Sequence, residues 1–164
     1  MIVCARGAQH LLLQRLQRVC QGRGKQTSST VVHCEAERSG GAQHIPVLLQ
    51  DTLQAFSSLQ IGTYLDCTLG AGGHALAVAE QHRELACLIG LDVDSAAHQI
   101  AQQRLQAEAD QHGFQFHPVH GNFTDLSALV ADLPLAAATE GVDAILMDVG
   151  VSSMQLDSAE RGFR

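Results

Sequence analysis

The sequence predicts an α/β fold built on a parallel sheet. Apolar runs of strand length alternate with segments of helical periodicity between residues 46 and 147. One of these runs, residues 86–91, is continuously apolar, which is typical of a parallel strand covered on both faces. A glycine-rich stretch, residues 70–73, stands where the first of the alternating strands gives way to a helix. These three observations predict strand–helix–strand units with right-handed crossovers in one sheet.

The elements follow in order along the chain. Pro46 suits the first turn of a helix that extends to about Ser57. The segments predicted to be strands are 63–68, 86–91, 114–119 and 142–147. The helices that follow the first three of them are predicted at 75–81, 95–111 and 124–133.

The helix ends and faces can also be predicted. Asp94 and Ser95 are placed to begin the helix at 95–111, and Gly113 is placed to end it. Thr124–Asp125 is the predicted cap of the next helix. Three residues are predicted to form the apolar side of the helix at 95–111: Ala96, Ile100 and Leu105.

Charge divides the chain into two regions. Residues 1–38 hold six of the ten Lys and Arg residues, whereas residues 39–164 hold four basic against fifteen acidic residues, a formal charge of −11. Residues 1–39 are basic, acid-poor and rich in Ser and Thr, with a short amphipathic helix at Leu11–Val19, which predicts a removable organellar transit peptide. The alternative is a disordered basic arm that stays attached and touches RNA or a membrane surface. Residues 40–164 form the predicted folded domain.

Composition limits the class of protein. No apolar run approaches the roughly 18 residues that a membrane span needs, so no membrane partner is expected. The five cysteines form no CxxC pair, and their odd number suits a reducing compartment. The nine histidines show neither HxxxH nor HxH spacing, so no metal site is predicted.

The glycine-rich stretch is the predicted ligand-binding turn. Glycines between a strand and a helix let backbone N–H groups approach a bound group closely. Gly70-x-Gly72-x-x-Ala75 fits the dinucleotide fingerprint, but S-adenosylmethionine (SAM) is held by similar turns. Asp66, four residues before Gly70, would repel a pyrophosphate and attract the sulfonium and ammonium of SAM. The alternative is an ordinary turn with Asp66 capping the loop.

Three further candidates follow the other strands, at the sheet edge where ligands bind in such folds. Asp92 can accept both hydroxyls of an adenosine ribose, the alternative being a helix cap. Phe123 can lie against a flat base such as adenine, and core packing is nearly as plausible. Asp148 can hold the cationic end of a donor, with Ser152 and Ser153 positioning an acceptor amine; the alternative is a plain Asx or Ser turn.

Five stretches of the chain resemble one known family. They are His44-Ile-Pro-Val, Asp66-Cys-Thr-Leu-Gly-Ala-Gly-Gly-His74, Gly90-Leu-Asp-Val-Asp94, Gly121-Asn-Phe123 and the run from Asp148 to Phe163. Together they are similar to the bacterial-type ribosomal RNA small-subunit methyltransferase H family, also called MraW. The resemblance extends from about Gln43 to Phe163, and the run Ser152–Phe163 is its most specific part. Two stretches, Phe56-Ser-Ser58 and Gly90-Leu-Asp-Val-Asp94, resemble the plastid branch, which implies a chloroplast location, with the mitochondrion as the alternative.

The resemblance implies a Rossmann-like SAM-dependent methyltransferase fold of class I, which methylates N4 of a cytidine in small-subunit rRNA. It implies that SAM is the cofactor and that the partners are the rRNA and the ribosomal subunit. The donor-binding residues that it implies are Gly72, Gly73, His74, Asp92, Phe123, Asp148 and Gln155. Gln155 comes from the resemblance alone.

Two departures from the family affect these expectations. Family members are considerably longer, so the chain is expected to be an N-terminal fragment with an incomplete parallel sheet. The charge of −11 on residues 39–164 is the wrong sign for holding a phosphate backbone, so the missing part is expected to supply the basic surface.

Two other functions compete with the methyltransferase. One is an NAD(P)-binding oxidoreductase, and the other is a truncated, non-catalytic remnant that binds SAM. Amine methyltransferases of other families use an Asp/Asn-Pro-Pro-aromatic turn, whereas this chain has Asp148-Val-Gly-Val, so the catalytic residue is unknown at this stage.

Overall fold

The structure, a computed structural model, describes residues 2–5, 46–131, 133 and 141–149. Five strands form one sheet in the order β1-β5-β2-β3-β4. Their bounds are β1 Ile2–Ala5, β2 Thr63–Asp66, β3 Cys87–Asp92, β4 Gln115–His120 and β5 Ala144–Met147. The helices are α1 Leu49–Phe56, α2 Gly73–Gln81, α3 Ser95–His112 and α4 Leu126–Ala131, with a short 3-10 turn at Phe123–Asp125.

The four strands that the sequence predicts are parallel, as expected. β2 pairs with β3 on one side, from Thr63 opposite Cys87, and with β5 on the other. β3 pairs with β4 along its whole length. The chain therefore moves outward from β2 through β3 to β4 and then crosses back to the other side of β2. The strand order reverses beside β2, and in open α/β sheets such a point is where ligands bind.

Both faces of the sheet are buried, which explains the continuous apolar runs of its strands. Alternate residues of one strand enter different cores: Tyr64 and Leu88 face the cluster beneath α1, α2 and α3, whereas Leu65 and Ile89 face the cluster beneath α4. Phe56 packs edge-to-face on Tyr64, with ring centroids 5.8 Å apart. The sheet is thus the middle layer of three.

The first strand, β1, differs from the sequence-based expectation. Residues 1–39 are predicted to be a transit peptide outside the folded domain, whereas Ile2–Ala5 pairs antiparallel with β5, Ile2 opposite Met147 and Ala5 opposite Ala144. The physical reason is that Ile and Val have high strand propensity, and the outer side of β5 is otherwise an open edge. The rest of the predicted transit peptide lies outside the described residues.

The start of α1 also differs. Pro46 precedes the helix and is not in its first turn, because Leu48 adopts a left-handed conformation with φ 57° and ψ 28°. The helix begins only at Leu49. Val47, between Pro46 and Leu48, is 54% exposed.

The long helix α3 has the predicted ends but a different buried face. Asp94 accepts hydrogen bonds from Ala96 N and Ala97 N at its beginning, and Gly113, with φ 79°, ends it as predicted. Ile100 is exposed, and Ala96 is only partly buried. The residues that are buried recur every four positions: Ala97, Ala101, Leu105 and Ala109. Small alanine side chains allow a close approach to the sheet and to the loop before α2, which a face containing Ile100 would not.

The cap before α4 is Asn122, not the predicted Thr124–Asp125. The Asn122 side chain accepts a hydrogen bond from Thr124 N at 3.0 Å, and the predicted cap residues themselves form the 3-10 turn. Within the described ranges, no helix combines the length and the apolar composition that crossing a bilayer requires.

Candidate functional site

The glycine loop, residues 67–72, connects β2 to α2 and is attached to both neighbouring strands. Cys67 N donates to Leu146 O at 2.9 Å, and Leu69 N donates to Leu91 O at 2.8 Å. The first bond holds the loop on β5, and the second holds it on β3. The loop therefore lies across the carboxyl end of the sheet, at the point where the strand order reverses.

Asp92, at the end of β3, is bonded directly to this loop. Its Oδ2 accepts from Gly70 N at 2.6 Å, and its Oδ1 accepts from Asp94 N at 2.8 Å. Asp92 is not the cap of α3, because Asp94 fills that role. Among the described residues, a Cβ built on Gly70 would meet no atom closer than Thr68 O, at 4.0 Å.

Asp148, directly after β5, lies on the other side of the loop. Its backbone N donates to Thr68 Oγ1 at 2.8 Å, and its side chain is exposed. Its charge acts to raise the pKa of both Asp66 and His74. The two acids predicted at different strand ends are thus both attached to the glycine loop.

Gly72 makes the bend into α2. It has φ 79°, a conformation that other residues rarely adopt, and a Cβ there would lie 3.2 Å from Leu105 and 3.3 Å from Ala101. The missing side chain therefore serves both the turn and the packing of α3 against the loop.

Gly73 and His74 form the first turn of α2, and both contact the segment ahead of α1. A Cβ on Gly73 would overlap Pro46 Cγ. His74 is buried, and its Nε2 lies 3.1 Å from Val47 O. Burial lowers the pKa of His74, while its hydrogen bond to Val47 and the charge of Asp148 oppose this shift. His74 is therefore a neutral imidazole at neutral pH.

Asp66 has a different role from the predicted one. It is fully buried, and its Oδ1 accepts from Thr68 N at 3.0 Å while the Tyr64 hydroxyl lies 3.5 Å from its Oδ2. Burial is the main reason that its pKa rises from 3.8 to about 7, and the charges of Asp92 and Asp148 act in the same direction. Asp66 therefore caps the loop from inside, as in the alternative interpretation, and its buried carboxylate does not fill the predicted role of attracting a cationic ligand.

Phe123 is placed farther from the loop than the two acids. Gly121 N donates to Asp92 O at 3.0 Å, which brings the end of β4 beside the end of β3. The Phe123 ring is half-buried and packs against the core cluster beneath α4. It follows β4, one strand beyond Asp92.

Two histidines near Asp92 were not singled out by the sequence. The rings of His98 and His120 pack edge-to-face, with centroids 6.0 Å apart, and His120 Nε2 donates to Val93 O at 3.1 Å. Burial lowers the pKa of His98, with the nearby His120 acting in the same direction. The two rings lie beside the ends of β3 and β4. No local spacing pattern in the sequence predicts their contact.

Other predicted positions lie outside the described residues. These are Gln155, Ser152 and Ser153. Among the residues that are described, no group of three or more His, Cys, Asp or Glu side chains is arranged to hold a metal ion.

Sequence reasoning missed two contacts that organise the site. The Thr68 hydroxyl, which ties Asp148 to the loop, had a usable signal, because a hydroxyl two residues after a buried acid is well placed in such a turn. The Val47 carbonyl, which accepts from His74, had none, because it depends on the left-handed backbone of Leu48.

Comparison with known proteins identifies the family of the chain. The model of the MraW methylase family matches residues 41–164. Three proteins named ribosomal RNA small subunit methyltransferase H are similar to the chain. The protein of Geobacter sulfurreducens is 43% identical over 120 residues, that of Heliobacterium mobile is 44% identical over 120, and that of Clostridium botulinum strain Hall is 39% identical over 121.

These alignments cover 73–74% of this chain but 36% of each relative. A solved structure, the YcgJ protein from Bacillus subtilis, aligns with a TM-score of 0.34 at 20% identity, covering 53% of this chain and 32% of that one. That likeness is too low to support the fold assignment, which rests on the strand order. The family match and the identities do not depend on it, and the chain belongs to the MraW methylase family.

Proposed function

We propose that this chain carries the SAM-binding part of an rRNA methyltransferase, which transfers a methyl group to N4 of a cytidine in small-subunit rRNA. The observation that carries the proposal is the attachment of both Asp92 and Asp148 to the glycine loop. Asp92 lies on the β3 side of the loop and Asp148 on its β5 side, and a Cβ built on Gly70 would meet no described atom closer than Thr68 O. A doubly cationic nucleoside suits a loop flanked by two carboxylates better than a pyrophosphate does.

The residues present fit SAM. Each carboxylate oxygen of Asp92 already accepts one backbone N–H, and a carboxylate has about four acceptor sites, so two stay available for the ribose hydroxyls. The exposed carboxylate of Asp148 attracts the ammonium of the methionine end. Gly72, Gly73 and His74 provide the bend and the first turn of α2. We place Phe123 at the adenine and Gln155 near the methionine end by family resemblance.

SAM supplies a methyl group on a positively charged sulfur. The task of the protein is then to orient the acceptor, because an exocyclic cytosine amine is a weak nucleophile whose lone pair is delocalised into the ring. Hydrogen-bond acceptors close to the amine would stabilise it as it pyramidalises. The exposed Asp148 carboxylate is one such acceptor.

Calorimetric titration of the 164-residue chain with SAM and with NADH tests the binding part of the proposal. We expect SAM to bind and NADH to give no heat. Binding of NADH without SAM would instead favour the oxidoreductase. Incubation with labelled SAM and small-subunit rRNA, followed by mass spectrometry of the nucleosides, tests the reaction. The expected product is N4-methylcytidine, and SAM binding without any methylated nucleoside would favour the non-catalytic remnant.

We also propose that residues 1–39 direct the protein to the chloroplast. The support is their composition, which is basic, acid-poor and hydroxyl-rich. Fusion of residues 1–39 to a fluorescent protein tests this, with fluorescence expected in chloroplasts. Fluorescence in mitochondria would contradict the proposal and support the alternative location.

A further inference from the structure

The segment Pro46–Leu48, called the strap here, crosses the beginning of α2. Its backbone is held in an unusual shape. Within the described ranges, Leu48 is the one non-glycine residue with a positive φ. Its carbonyl accepts from both the N and the Oγ1 of the fully buried Thr52, at 3.0 and 2.9 Å. Such a conformation persists only where the surroundings determine it, and it is often found where a site needs a fixed geometry.

The strap has two contacts with α2, and both involve residues of the proposed donor site. The Pro46 ring occupies the space that a side chain at Gly73 would need. The Val47 carbonyl faces His74 Nε2 at 3.1 Å. Because a carbonyl oxygen can only accept, His74 must donate from Nε2. The neutral ring then carries its lone pair on Nδ1.

We propose that the strap is a positioning element for the donor site, which holds His74 as the Nε2–H tautomer and leaves Nδ1 as a fixed hydrogen-bond acceptor at the start of α2. This inference rests on the proposed function for the identity of the ligand, SAM. The ammonium of SAM is a donor that needs such an acceptor. Among the described residues, no group donates to Nδ1.

The strap acts on SAM through His74, which separates this inference from a merely structural role. A change that disturbs the strap should weaken SAM binding only while the imidazole is present. Leu48 is the position to change, because its side chain does not define the site but its backbone conformation does. Glycine accepts positive φ readily, whereas the β-branched valine resists it.

The tautomer can be read in the ligand-free protein. Long-range proton–nitrogen NMR spectra distinguish Nε2–H from Nδ1–H rings, and the signals of His74 are those missing from His74→Gln. We expect the Nε2–H form in the wild-type chain and in Leu48→Gly, and a mixture of tautomers in Leu48→Val. An Nδ1–H ring in the wild type, or no difference between Leu48→Val and Leu48→Gly, would overturn the inference.

SAM binding supplies the second test, as a double-mutant cycle measured by calorimetry. Leu48→Val is expected to weaken binding about tenfold in the wild-type background, which corresponds to the loss of one well-placed hydrogen bond. In the His74→Asn background, the same change is expected to alter SAM affinity by less than about twofold, because the hydrogen bond between the imidazole and the Val47 carbonyl is already absent. Leu48→Gly should bind like the wild type. Additive effects of Leu48→Val and His74→Asn would show that the strap does not act through the imidazole.

The two proposals fail in different ways. If the wild-type chain does not bind SAM, the proposed function is wrong, and the NMR spectra still decide whether the strap controls the tautomer. If SAM binds but the tautomer is unaffected by Leu48→Val, the proposed function stands and the strap inference is wrong.

Discussion

Replacement of Asp66 by Asn tests the argument that a buried acid supports the glycine loop. The carboxyl is fully buried, accepts from Thr68 N and lies near the Tyr64 hydroxyl. Asn has nearly the same shape and keeps an oxygen for Thr68 N, but it cannot ionise. The substitution therefore removes the ionisation of the side chain at position 66 and preserves most of its packing.

The direction in which the free energy of unfolding changes with pH follows from the raised pKa of Asp66. Asp66 has a pKa of about 7 in the folded chain, mainly because of burial, against 3.8 for the ordinary group. Between these values the folded state holds a proton that the unfolded chain has released, so the free energy of unfolding falls as pH rises and levels off above about pH 7. The whole effect is about 4 kcal/mol at 1.36 kcal/mol per pKa unit.

Urea unfolding at two pH values measures this difference. Relative to the wild type, Asp66→Asn should gain about 2.5 kcal/mol of stability between about pH 5 and about pH 8. Any change in the free energy of unfolding that the amide causes at every pH cancels when the values at the two pH values are subtracted. The exposed Asp125→Asn is the matched control and should show no such gain. A pH-independent difference between Asp66→Asn and the wild type would refute the buried, proton-holding role of Asp66.

Three other substitutions test the site and the fold. Gly72→Ala should lower the free energy of unfolding by about 3 kcal/mol, because φ is 79° and a Cβ would crowd α3. Gly113→Ala is the control, because Gly113 also has φ 79° but no described atom lies within 4 Å of an added Cβ. In the same urea titration it should lower the free energy of unfolding by about 1 kcal/mol. Asp92→Asn should weaken SAM binding at least about tenfold in calorimetry, because an amide has one oxygen for Gly70 N and the ribose. Asp143→Ala removes the acceptor of two backbone N–H groups at the start of β2 and should cost about 2 kcal/mol of stability. Its SAM affinity should stay within about twofold, because Asp143 is at the opposite end of the strands; a large loss there would contradict the placement of the site.

The sequence was sufficient for the parallel strands and for the two acids at their ends. Periodicity defines β2 to β5, and topology then brings Asp92 and Asp148 to the same edge. The sequence was not sufficient at positions whose burial or backbone conformation depends on tertiary contacts. Ile100 looks like a core residue, but the close packing of α3 selects the smaller Ala101. The left-handed Leu48 has no local signature, so the strap and its bond to His74 could not be predicted.

Strand β1 has a practical consequence for handling the protein. It runs antiparallel to β5, with Ile2 opposite Met147, so its amino-terminal end is beside the tip from which Asp148 follows. An affinity tag fused ahead of Ile2 would leave the sheet at the same edge as the glycine loop. Titrations with SAM should therefore use protein from which such a tag has been cleaved.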